Sequence, residues 1–169
     1  MVNVTLPYDW EPWQHQRDLM GYMQNGGKRA VCCWHRRGGK DITVLNWTIM
    51  ATQMRPGIYW HMLPTFKQGR KVVWNGITND GRKFLDYIPP ELIKRKLDQE
   101  MMIEFTNGSI WQVVGSDDID RLVGSNPVGV VYSEFSLTNP AAWDMVRPIL
   151  NANGGWSIGR ATSRKCRPI

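Results

Sequence analysis

Cysteine is scarce in this chain: three residues in 169. Cys32 and Cys33 are adjacent inside an apolar run and Cys166 stands alone. The spaced, even-numbered framework of a disulfide-stapled secreted domain is therefore missing, and a reducing compartment is expected. No uncharged apolar stretch approaches the ~18–20 residues needed to cross a bilayer. Residues 1–13 lack the basic start and apolar middle of a signal peptide. These absences lead us to expect a soluble intracellular protein with no membrane partner. His15, His35 and His61, taken with the cysteines, show no metal-ligand spacing, so no zinc site is expected. Repeats, low-complexity tracts and long Pro/Gly linkers are also missing, which leaves a single domain. The net charge of +6 is a mild excess. Arg160, Arg164, Lys165 and Arg167 supply four of the positive charges within a basic tail at 160–169, and the preceding 159 residues carry only +2. Such a balance is compatible with a polyanionic partner without requiring one.

What the chain does have is core-forming material: 42% hydrophobic residues and nine tryptophans. Leu19, Met20 and Met23 recur at helical spacing, as do Ile42, Leu45, Ile49 and Met50. Ala30–Trp34, Ile58–Leu63 and Val128–Tyr132 are apolar runs of strand length without alternation, the pattern of strands covered on both faces. Helices separating such runs predict an α/β domain built on a mainly parallel sheet. One antiparallel element is expected, because Met101–Phe105 and Ile110–Val114 flank Asn107-Gly108, a dipeptide that tolerates the positive φ of a tight hairpin turn.

Chemistry concentrates at Ala30–Asp41. An apolar run leads into His35-Arg36-Arg37-Gly38-Gly39-Lys40-Asp41 and then a helical pattern. Backbone N–H groups at Gly38, Gly39 and Lys40 can converge on phosphate oxygens, the helix start favours anions, and the Lys40 ammonium can reach β and γ oxygens. Relative to G-x-x-x-x-G-K-[ST], Trp34 stands at the first glycine and Asp41 at the hydroxyl position. Downstream, Val128–Tyr132 ends in Ser133-Glu134, which offers a carboxylate beside the terminal phosphate to activate water.

Together these segments resemble the ATPase half of a tailed-bacteriophage large terminase. The resemblance runs from about Trp10 to Trp156 and rests on the variant phosphate loop, Leu63-Pro64-Thr65-Phe66-Lys67-Gln68, Asp120-Arg121-Leu122-Val123-Gly124, Ser133-Glu134-Phe135 and Gly154-Gly155-Trp156. It implies a three-layer P-loop fold with an inserted β-hairpin, divided into an adenine-motif segment (1–28), an ATPase core (29–159) and the basic tail. Under it Glu134 is the catalytic base, Lys40 binds phosphate and Arg36 stabilises the transition state. Arg121 is either an arginine that reaches a neighbouring subunit's nucleotide or a partner of Asp117, Asp118 or Asp120. An upstream glutamine should read adenine. Gln16 is preferred to Gln14 because Leu19 and Met20, three and four residues on, place it at the start of an amphipathic helix.

The implied cofactors are ATP and Mg²⁺. The family usually has a hydroxyl after the lysine and a carboxylate before the catalytic Glu, and here Asp41 and Ser133 exchange those places. Both are expected to serve magnesium, Asp41 directly or through water. Gly159 and Arg160 are expected to weaken the last strand and make Thr162 a doubtful coupling residue. The implied partners are double-stranded DNA, a portal and procapsid, a small terminase subunit and further copies in a ring, all in the host cytoplasm. No nuclease segment is present, so no DNA cleavage is expected. A helicase-like DNA-dependent ATPase and a non-hydrolysing nucleotide- or DNA-binding remnant share the same features.

Overall fold

The computed structural model describes residues 5–35 and 37–162. Helix α1 (Gln14–Gln24) precedes β1 (Arg29–Trp34), which runs into α2 (Lys40–Met54) and β2 (Ile58–Leu63). A short α3 (Phe66–Gly69) continues into a wide turn of helix at Arg70–Trp74. Then come β3 (Ile93–Leu97), β4 (Met102–Phe105), β5 (Ile110–Gly115), β6 (Pro127–Tyr132), α4 (Pro140–Asn153) and β7 (Trp156–Thr162). The strands form one seven-stranded sheet in the order β1-β7-β6-β2-β5-β4-β3. The first five in that order are parallel, and β4 and β3 join antiparallel.

Two apolar layers sandwich the sheet. Tyr59, Leu63, Trp111, Val113 and Val131 face the layer built with α1 and α2, while Trp60, Met62, Val130 and Tyr132 face Val146 and Leu150 of α4. Period-2 alternation inside an apolar run thus feeds both cores, which explains why the run itself shows no polar face. At Gly129 a Cβ would stand 2.5 Å from the Trp156 ring, so this glycine lets the indole lie across β6.

The expected hairpin turns at Asn107-Gly108, with Gly108 at φ 85°. Its second strand, β5, also pairs in parallel with β2, so the hairpin extends the main sheet. The strand expected to be weak is complete: β7 lies between β1 and β6. Its buried charge is compensated by partners distant in sequence.

Candidate nucleotide site

Open parallel α/β sheets bind ligands beyond the carboxyl ends of their strands. There an open cleft of ≈ 1230 Å³ is lined by Trp13, Gln16, Arg37, Gly38, Gly39, Lys40, Asp41, Glu134 and Arg160, among others. Gly39 caps α2 at φ 68°, where a Cβ would also meet the Gln16 amide nitrogen at 2.5 Å. Arg37 and Glu134 adopt left-handed backbone conformations too, at φ 64° and 57°. Non-glycine residues held this way cost about 1–3 kcal/mol each and cluster at functional sites.

Lys40 opens α2, and its Nζ donates to the backbone oxygens of Trp34 (2.8 Å) and His35 (3.1 Å). The ammonium is thus held within the loop it would share with a phosphate. Burial and then the nearby Arg160 lower its pKa, against the pull of Asp41 and Glu134. Gln16 is buried and engaged at both ends: Oε1 accepts from Trp13 N (2.9 Å) and Nε2 donates to Gly38 O (3.0 Å). It ties the start of α1 to the phosphate loop. His15 also contacts Gly38 O, at 3.1 Å.

Of the predicted set, Gln16, His35, Arg37, Gly38, Gly39, Lys40, Asp41 and Glu134 all border this cleft. Arg36 lies outside the described residues. Arg121 sits on a short helical turn (Ile119–Leu122) away from the cleft lining, 84% exposed and paired with Asp118 at 2.6 Å. Asp118 is one of the three acidic partners considered for it. Of the basic residues after β2, Arg70 donates to the backbone oxygens of Asp98 and Gln99, which pins the 66–74 segment to the β3–β4 turn.

Asp41 and Ser133 do come together, but around Arg160. The Arg160 Nη2 lies 2.6 Å from Asp41 Oδ1 and also donates to Ser133 Oγ. Burial raises the Asp41 pKa, yet the guanidinium outweighs it and holds the carboxyl below its ordinary value. Magnesium needs oxygen ligands in near-octahedral geometry at about 2.0–2.1 Å. The two oxygens proposed for it already face a cation, so these residues do not fit the ion as arranged. No cluster of three or more His, Cys, Asp or Glu able to hold a metal occurs among the described residues.

Sequence reasoning missed Arg160 and Trp13 as parts of the site. The usable signal for Arg160 was Asp41 itself, since a carboxylate at the start of a phosphate-binding helix requires a compensating cation.

Comparison with solved structures assigns the architecture. The large terminase ATPase domain of Thermus phage P74-26 superposes with a TM-score of 0.67 at 18% identity, over 90% of this chain and 65% of that one. The chain has the fold of a phage large-terminase ATPase domain. A large terminase from a thermophilic bacteriophage gives 0.71 at 11% identity, over 90% of this chain and 39% of that one. The same protein in complex with ATP-γ-S gives 0.63, over 88% and 37%. The chain therefore spans under two thirds of the terminase chains it resembles. No family model and no curated protein sequence matches it. Among the described residues no helix is long and apolar enough to cross a membrane.

Proposed function

We propose that the chain is the ATP-hydrolysing module of a DNA-packaging terminase motor. One observation carries this reading: Lys40 at the start of α2 and Glu134 just beyond β6, far apart in sequence, border one cleft at the carboxyl ends of the parallel strands. In the proposed mechanism the triphosphate displaces the Lys40 ammonium from the Trp34 and His35 carbonyls, and Lys40 moves onto the β and γ oxygens. Backbone N–H groups from Gly38 to Lys40 supply further donors at the positive end of α2. Glu134 takes the proton from the attacking water, and Arg36 meets the developing charge on the phosphoryl oxygens. Catalysis of this kind is mostly positioning and electrostatics. Trp13, 56% exposed at the cleft mouth, offers a stacking face for the base. Gln16 links that side to the phosphate loop.

Coupling hydrolysis to double-stranded DNA movement belongs to the same reading. So do assembly into a ring, in which Arg121 reaches a neighbour's nucleotide, and docking on a portal and procapsid with a small terminase subunit.

The test is nucleotide binding and phosphate release by the wild type and Lys40→Ala. The substitution is expected to reduce turnover by about a hundredfold or more, the scale for losing a preorganised donor to the transition state. Equal rates would reject the site. A second reading, nucleotide binding without hydrolysis, is favoured by the guanidinium lodged between Asp41 and Ser133. ATP bound with no phosphate released by the wild type would select it.

A further inference from the structure

Lys40 and Arg160 are the two buried cationic side chains among the described residues, and both line the cleft. Arg160 stands opposite Cys32 on β1, and its neighbour Gly159 stands opposite Tyr132 on β6. Its guanidinium is therefore delivered between the strand feeding the phosphate loop and the strand ending in Ser133-Glu134. In P-loop NTPases the hydroxyl after the loop lysine and a carboxylate from the acidic strand hold a magnesium ion. Here the carboxylate is Asp41, the hydroxyl is Ser133, and a strand-borne guanidinium lies between them. Three departures thus form one compensated set.

We infer that Arg160 is a built-in replacement for the divalent cation, so that the cleft binds a nucleoside triphosphate without metal. The inference rests on the nucleotide-site reading above. Three features support it. Guanidinium matches phosphate geometry and cannot lose its charge. Both contacts of Arg160 run through Nη2, so Asp41 and Ser133 do not saturate the guanidinium, and the residue lines the cleft. Asp41, which alone would repel a polyphosphate at the start of α2, is neutralised by the pair. A guanidinium brings one positive charge where magnesium brings two, and Arg37 on the cleft wall adds another.

The test is ATP affinity, measured by calorimetry on the full chain in excess magnesium and in excess EDTA. The two values are expected to agree within about threefold. A loss of about tenfold or more in EDTA overturns the inference while leaving the nucleotide site standing. Binding in neither condition removes both. The triple variant Asp41→Thr, Ser133→Asp, Arg160→Leu restores the usual hydroxyl and carboxylate places and frees the space between them. Its ATP affinity is expected to gain a magnesium dependence of about tenfold or more. A folded triple variant that remains indifferent to magnesium would contradict the role given to Arg160, whereas the wild-type comparison stands without any substitution.

Discussion

Two clusters of the same chemistry sit toward opposite edges of the sheet. On the β3–β4 edge, Lys94 and Arg95 reach Glu104 at 2.7 and 3.1 Å with side chains 61% and 59% exposed. Near the other edge Arg160, 4% exposed, meets Asp41 at 2.6 Å. The cations of the first cluster are solvated and screened, while Glu104 is 20% exposed, and their charges blunt an edge strand against pairing with other chains. The second takes a guanidinium out of water, which is tolerated only where the partners match closely. Ion pairs of the same chemistry thus do different work: one group guards an edge, and the other lines the cleft at the ends of the parallel strands.

Breaking the buried cluster should have the largest effect. Arg160→Leu leaves Asp41 without its cation and is expected to lower stability by about 2 kcal/mol. That is less than for a fully enclosed pair, because the Asp41 side chain is 46% exposed and water offsets part of the loss. Denaturant unfolding measures the change, and adding Asp41→Asn should restore part of it. A single substitution as costly as the double would show that Asp41 and Arg160 are not coupled.

His61 sharpens the same contrast through pH. It lies on β2 between Phe84 and Trp111 with both ring nitrogens unpartnered. Burial first, then the nearby Arg160, push its pKa from 6.5 to about 3, while Asp41 pulls weakly the other way. As pH falls from 6.5 toward about 3, the unfolded chain takes up a proton that the native state refuses, so stability falls with pH in that window. The slope approaches about 1.4 kcal/mol per pH unit for one full proton. His61→Phe should flatten it, as read from thermal unfolding across the window. The depressed Asp41 pKa adds acid sensitivity only below its ordinary value of 3.8. An unchanged slope in the variant would mean that His61 opens to water in the native state.

The smallest effect is expected at the exposed edge. Glu104→Gln should leave the denaturation midpoint within experimental scatter at moderate salt, because both partners are solvated. A marked loss would erase the distinction between the clusters.

Legibility in the sequence follows the same division. β2 and β6 are readable because strands covered on both faces are written as apolar runs, and the hairpin because Asn107-Gly108 marks its turn; β1 reads the same way but lies at the sheet edge with Val31 62% exposed, so its expected double coverage is not found. β3 is not readable, since Lys94-Arg95-Lys96 offers no apolar run to mark a strand, although an edge strand is where such charges belong. Lys40 and Glu134 stand out by their places after a strand-to-helix glycine turn and at the end of an apolar run, whereas Gln16 is singled out by the family resemblance, with helical spacing choosing it over Gln14. Arg160 reads as a flaw in a strand because its partners stand at residues 41 and 133, and only the crossover order of β1, β7 and β6 brings them together.

The central claim is that Lys40 and Glu134 serve the same terminal phosphoryl group. Its most direct test is steady-state phosphate release by Glu134→Gln beside a measured ATP affinity. The account predicts retained ATP binding with release reduced by about a hundredfold or more, the scale of losing a positioned general base. Phosphate release at the wild-type rate would contradict it.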